Sequence, residues 1–283
     1  MPDLTEDFCN REYNNRAMIP DFADYLVRWS AQAAQARAAH AHLAGLRYGS
    51  HEKETLDLFP AAGGHSPLMV FIHGGYWRSL DKDDFSWVAP AFLARGISVA
   101  VLNYALAPAV SLETITRQVL RALEWLYRNA GSHGIDPARI VVSGHSAGGH
   151  LCAMSLAALW PAWDPDLPAD LVKGGVAVSG LYDLEPIRLA SFLNVDLKLD
   201  ARSVARLSPA WMPPASRAPL ITAVGGLESS EFKRQNALLG ARWRANLRAD
   251  VPMPGCHHLS VIEGLATPGN PLFEASAALC LGA

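Results

Sequence analysis

Short apolar runs recur along the chain, and stretches with helical spacing separate them. Residues 54–59 (ETLDLF) alternate polar and apolar positions, the period of an edge strand, and stop at Pro60. Residues 68–72 (LMVFI), 97–103 (ISVAVLN), 139–143 (RIVVS), 175–179 (GVAVS) and 220–224 (LITAV) are nearly unbroken apolar runs, the pattern of strands buried on both faces. The period turns helical over residues 21–43, where Asp21 is a candidate N-cap and Phe22, Leu26, Trp29 and Ala33 share one face; Gly45 would end the helix. Residues 112–129 set Ile115, Val119, Leu123 and Leu126 on one face, and residues 85–95, 147–159, 231–249 and 273–281 complete the helical set. Residues 1–20 are polar and are expected along the surface.

Strands alternating with helices in this way predict an α/β fold with a mainly parallel central sheet and helices on both faces. Residues 183–219 break the alternation. They are rich in proline (Pro186, Pro209, Pro213, Pro214, Pro219), too long for an ordinary connection, and read as a small lid inserted between two strands. The expected organisation is a single domain over residues 1–283, with an N-terminal helical segment at about 12–45 and the lid at about 183–219.

Composition narrows the class. The chain has 283 residues, 50% of them apolar and 18% charged, which supports a large core and excludes a disordered protein. The formal net charge is −3 and no Lys/Arg-rich run occurs, which argues against a nucleic-acid or anionic-membrane surface. Cys9, Cys152, Cys256 and Cys280 lie far apart without a C-x-x-C pair, so they read as reduced thiols. The opening MPDLTEDFCNREYNN is acidic and polar, unlike a secretory signal, and no apolar run reaches the ~18–20 residues of a membrane span. These features predict a soluble, cytoplasmic protein.

The strongest chemical signal is Gly144-His145-Ser146-Ala147-Gly148, a G-x-S-x-G between the strand RIVVS and an apolar helix. On such a sharp turn the Ser146 hydroxyl is exposed, and the Ala147 N–H opens a helix whose dipole favours negative charge. A phosphate cradle is the bland alternative, but neither G-x-x-x-x-G-K-[ST] nor G-x-G-x-x-G is present. The second signal is His73-Gly74-Gly75-Tyr76-Trp77, directly after LMVFI. The N–H groups of Gly74 and Gly75 can complete an oxyanion hole with that of Ala147.

A nucleophilic serine needs an acid and then a histidine later in the chain. Glu228 lies in the turn after LITAV, the expected place for the acid. Asp183, after the preceding strand, is its rival, and Glu231 suits a helix dipole better. His257 and His258, in PGCHHLS, are the candidate bases. Cys256 beside them does not make a metal site, because no further ligand has suitable spacing.

These residues resemble the α/β-hydrolase superfamily, and within it the arylformamidase (kynurenine formamidase) type. The narrower marks are YNNR at residues 13–16, HGGYW at 73–77, GHSAGGHL at 144–151, SGLYDL at 179–184 and GGLESSEFKRQ at 225–235. The resemblance covers nearly the whole chain, from about residue 12 to about 264. It favours His258 as base, since His258-Leu259-Ser260 fits the family pattern better than a start at His257. Glu228 stands where the family often has Asp. The resemblance implies hydrolysis of N-formyl aromatic amides such as N-formyl-kynurenine, with a carboxylesterase for short acyl aryl esters as the alternative. A non-catalytic binding module is the remote reading.

The expected mechanism is acyl transfer by Ser146, His258 and Glu228 on a small-molecule ester or amide, with no metal or organic cofactor, no nucleic acid and no membrane. A homodimer is left open. Tyr76 and Trp77 are expected to line the substrate pocket, with Phe192, Leu193 and Trp211 in the lid, so that formyl or acetyl groups are preferred over long acyl chains.

Overall fold

The computed structural model describes residues 4–283. Among the described residues eight strands form one sheet: β1 (Leu43–Arg47), β2 (Thr55–Phe59), β3 (Ser66–Ile72), β4 (Ser98–Leu102), β5 (Ile135–His145), β6 (Val172–Val178), β7 (Leu220–Gly225) and β8 (Leu247–Met253). Their order is β1-β2-β4-β3-β5-β6-β7-β8. β1 and β2 run antiparallel, as do β2 and β4; every pairing from β4 through β8 is parallel.

Strand β3 shows why the central runs are unbroken in apolar residues. All seven of its positions are buried. Leu68, Val70 and Ile72 join one apolar layer with Leu123, Leu151 and Phe232, while Met69 and Phe71 join another with Trp29, Phe92 and Phe273. Helices Leu112–Asn129, Ala147–Ala157 and Ser230–Arg242 therefore cover one face, and Phe22–Ala39, Ala89–Leu93 and Pro271–Leu281 the other. A fully buried Leu, Ile, Val or Phe contributes ~1.5–3 kcal/mol, so the two layers carry most of the folding energy.

Five sequence expectations are corrected. The helix predicted at 21–43 stops at Ala39, and Leu43–Arg47 is a strand lying outside β2, so residues 54–59 are not the sheet edge. The helix predicted at 85–95 is a single 3₁₀ turn, Ser86–Val88, and then Ala89–Leu93, because Pro90 is tolerated only in a first turn. The helix predicted at 231–249 ends at Arg242; a turn over residues 243–246 leads into edge strand β8, whose burial alternates and which accommodates Pro252. Residues 4–20 are not simply surface, and residues 1–3 of that expected stretch lie outside the described residues. Helix Glu6–Glu12, capped by Thr5, brings Cys9 and Tyr13 to full burial, and Asn15 is buried beyond it.

Residues 183–219 hold three short helices, Glu185–Leu189, Ser191–Leu197 and Ala201–Leu207, and a 3₁₀ turn at Pro209–Trp211. Among the described residues no helix is long and apolar enough to cross a membrane.

Candidate active site

Strand β5 ends at His145, and Ser146 forms the turn into helix Ala147–Ala157 with φ 57 and ψ −118. This conformation costs a non-glycine residue roughly 1–3 kcal/mol, so the surroundings must enforce it. The Ser146 N–H donates to the Val178 carbonyl on β6 at 2.9 Å, and its carbonyl accepts from His150 N–H at 3.1 Å. The helix also presses directly onto β3. A Cβ on Gly148 would overlap the Ile72 carbonyl, so only glycine lets the turn close. Ser146 thereby lines a cavity of about 510 Å³.

The strap after β3 lies against this turn. A Cβ on Gly74 would stand 3.1 Å from Ser146 Cβ. Gly75 has φ 101, and a side chain there would collide with the Ser79 carbonyl. The strap is pinned from below by His73, fully buried and stacked on Tyr104 with ring centroids 4.3 Å apart. Burial pushes the His73 pKa down, so the ring stays neutral, and its Nδ1–H donates to the Gly74 carbonyl at 2.8 Å. Tyr104 O–H donates to the His73 carbonyl at 2.9 Å. With both carbonyls held on the Tyr104 side, trans peptide geometry turns the N–H groups of Gly74 and Gly75 the other way.

Two successive strained residues follow, Tyr76 at φ 50 and Trp77 at φ 56, and they diverge. Tyr76 lines the cavity; its hydroxyl donates to the Tyr13 carbonyl at 2.7 Å and accepts from Asn15 Nδ2 at 3.3 Å. Trp77 does not line the cavity. It is fully buried in the apolar layer beneath the strap, edge-on to His150 at 5.0 Å. The expectation that Trp77 walls the pocket is corrected accordingly.

Glu228 follows β7 and is buried. Its Oε1 accepts from Gly225 N–H at 2.7 Å and from Ser179 Oγ at 2.5 Å, and its Oε2 accepts from His258 Nδ1 at 2.6 Å. His258 sits in the loop after β8, between Phe232 at 4.3 Å and His145 at 4.7 Å, and shares the cavity with Ser146. His145 Nε2–H donates to the His258 carbonyl at 2.7 Å, tying the end of β5 to this loop. Burial and the neighbouring His258 hold the His145 pKa well below 6.5, so it adds no charge beside His258.

The rival residues lie elsewhere. His257 Nδ1 accepts from the N–H groups of Leu259 and Ser260, both at 3.2 Å, and its ring meets Tyr25. Asp183 accepts from both terminal nitrogens of Arg234 at 3.3 Å, rather than from the histidine. Of the expected lid residues, Phe192 reaches the cavity, Leu193 is buried in the core, and Trp211 lies outside beneath Arg242. Sequence reasoning missed the cavity residues Asn15, Arg16 and Arg78. Only the YNNR resemblance pointed toward the first two. Arg78 donates to Asp196 at 2.6 Å and to the Phe192 carbonyl at 2.8 Å, joining the strap to the insertion.

A serine on a strained turn after the central strand of a mainly parallel sheet, with a Glu–His pair carried beyond β7 and β8, makes this an α/β-hydrolase. The BD-FAE family model matches residues 56–160. The kynurenine formamidases of Danio rerio and Salmo salar are 32% and 28% identical over 277 and 276 residues, each match covering 93% of this chain and 92% and 90% of those proteins. A crystal structure of a candidate thioesterase from Silicibacter sp. TM1040 is similar with TM-score 0.83 at 34% identity, covering 96% of this chain and 98% of that one. The chain belongs to the kynurenine formamidase family, and it is a serine hydrolase acting on ester or amide bonds.

Proposed function

We propose that the enzyme cleaves small N-formyl aromatic amides, N-formyl-kynurenine among them, through an acyl-enzyme on Ser146. The observation that carries this reading is the 2.6 Å bond from His258 Nδ1 to Glu228, with His258 and Ser146 in one cavity. With Nδ1 engaged, Nε2 is the nitrogen that takes a proton. His258 Nε2 accepts the Ser146 proton as Oγ attacks the carbonyl carbon. The N–H groups of Gly74, Gly75 and Ala147 receive the oxyanion, and Glu228 stabilises the imidazolium. The tetrahedral adduct collapses by breaking the C–N bond, and the imidazolium returns its proton to the departing amine. A water, deprotonated by the same nitrogen, then releases the formyl group as formate and frees Ser146.

Tyr76 serves as a substrate wall, in keeping with its place on the cavity. The insertion at 183–219 acts as the lid of a single catalytic domain, with Phe192 as its contribution. The substrate is a small molecule, and four free cysteines support a cytoplasmic setting. A carboxylesterase acting on short acyl aryl esters uses the same atoms with oxygen as the leaving atom. Comparing kcat/KM for N-formyl-kynurenine with that for p-nitrophenyl acetate, butyrate and octanoate tests the proposal. A higher value for the formyl amide than for every ester supports the formamidase. No measurable amide turnover beside rapid acetate cleavage gives the site to esters.

A further inference from the structure

Three of the sequence marks carry residues that the reaction leaves unused: Tyr13 in YNNR, Asp183 in SGLYDL, and Glu231, Arg234 and Gln235 in SEFKRQ. They meet in one cluster, buried except at the half-buried Arg234, around the helix whose Phe232 packs on His258. Tyr13 O–H donates to Glu231 Oε2 at 2.9 Å and accepts from Gln235 Nε2 at 3.0 Å. Arg234 donates to both oxygens of Glu231, at 2.8 and 2.9 Å, and reaches Asp183. Gln235 Oε1 accepts the N–H groups of Tyr182 and Asp183, both at 2.8 Å. Every polar group of Tyr13's partners is therefore spoken for by its neighbours, which is what a buried network needs to hold one geometry.

Tyr13 faces the site with its other parts. Its carbonyl accepts the Tyr76 hydroxyl at 2.7 Å, and its ring meets Phe232 at 5.5 Å, which in turn packs on His258. One side chain thus bolts the N-terminal segment to helix Ser230–Arg242, while its backbone fixes the side chain that walls the cavity. Burial and the Glu231 carboxylate raise the Tyr13 pKa well above 10, so the phenol keeps its donor proton.

We infer that Tyr13 is a positioning residue that sets acyl-length specificity: it clamps the N-terminal segment so that Tyr76 is held in place and the cavity stays narrow. The inference rests on the reading that catalysis occurs at Ser146 in this cavity. Releasing the clamp lets Tyr76 retreat, and longer acyl chains gain relative to acetate.

The experiment measures kcat and KM for p-nitrophenyl acetate and octanoate with Tyr13→Phe, Tyr76→Phe and the double variant. Ser146→Ala is run beside them, and folding is checked by thermal unfolding. In both single variants the octanoate-to-acetate ratio of kcat/KM should rise by about fivefold or more, mainly through a lower octanoate KM. The double variant should show the same rise and not the product of two, because both changes release one element. A merely structural loss would lower both esters by one factor and leave the ratio alone. A ratio within about twofold of the parent in folded Tyr13→Phe, or effects that multiply, overturns the inference. If Tyr13→Phe does not fold, Tyr76→Phe decides, since it cuts the hydrogen bond from Tyr76 to the Tyr13 carbonyl without touching Glu231: the same rise supports the clamp, and an unchanged ratio overturns it. Activity retained by Ser146→Ala would sink the catalytic reading separately, whatever the ratio does.

Discussion

Glu228→Gln is the sharpest perturbation of the Glu–His pair, because it changes one atom and leaves the shape. The parent Oε1 accepts from Gly225 N–H and Ser179 Oγ. A backbone N–H cannot rotate away, so the glutamine must keep its oxygen there and turn its NH₂ toward His258 Nδ1. That ring nitrogen must then accept, which moves the imidazole proton to Nε2, where it blocks proton removal from Ser146. The carboxylate charge is lost as well. With charge centres ~4 Å apart at an effective dielectric constant near 20, its attraction to an imidazolium is about 4 kcal/mol, or roughly three decades in rate. With the tautomer effect added, kcat for p-nitrophenyl acetate should fall by ~10³–10⁴-fold, while the thermal midpoint shifts by only a few degrees. Steady-state kinetics beside a melting curve is the assay. A folded variant that loses less than about tenfold in kcat refutes the argument, because neither the tautomer nor the charge would then matter.

Three other outcomes follow from particular contacts. His257→Ala removes a ring that accepts the N–H groups of Leu259 and Ser260; it should cost ~1 kcal/mol in urea unfolding and less than about tenfold in kcat, against ~10⁴-fold or more for His258→Ala. Trp77→Ala empties a fully buried site and should cost ~3–5 kcal/mol in stability; relaxed acyl selectivity with unchanged stability would return Trp77 to the pocket wall. Stability should also fall with acidity: His150 titrates near 6.5 when unfolded but is held to about 4 by burial in the fold. Above the unfolded value both states are neutral and stability is complete; between the two values only the unfolded chain is protonated, so stability drops as pH falls. At ~1.4 kcal/mol per unit this removes about 3 kcal/mol, and His145, displaced in the same direction, adds to the loss. A urea midpoint that stays flat across this interval contradicts it.

Hydropathy made the centre of the sheet readable and left its margins obscure. β3 and β4 are buried on both faces, so residues 67–72 and 99–102 are all apolar and the runs could not be mistaken; the buried serines that open them, Ser66 and Ser98, hydrogen-bond each other. β1 and β8 sit at the two edges, where β1 has no fully buried position and β8 exposes alternate residues, so LAGLR and LRADVPM did not stand out from the neighbouring helical patterns. The N-terminal segment failed for another reason. Tyr13 and Asn15 are polar yet buried, and their partners lie far away in sequence at Glu231, Gln235 and Tyr76, which no local pattern records.

The candidate site was legible where backbone geometry dictates the residue. Gly148 cannot carry a side chain against Ile72, and Ser146 must follow a strand, so the motif and its context appear together in the sequence. Adjacency misled where direction decides. Tyr76 and Trp77 are neighbours with nearly the same φ, but one enters the cavity and the other the core. His257 and His258 are separated only by which of them meets Glu228 across the fold. Asp183 looked eligible as the acid until Arg234, which the sequence does not visibly pair with it, occupied its carboxylate.

The central claim is that Ser146 forms the covalent intermediate, and intact-protein mass spectrometry after reaction with a serine-directed organophosphate tests it most directly. One adduct per chain should form, peptide mapping should locate it on Ser146, and Ser146→Ala should neither be labelled nor retain more than about a ten-thousandth of the parent kcat. An adduct on any other residue, or an alanine variant that keeps more than about a tenth of the activity, would contradict the account.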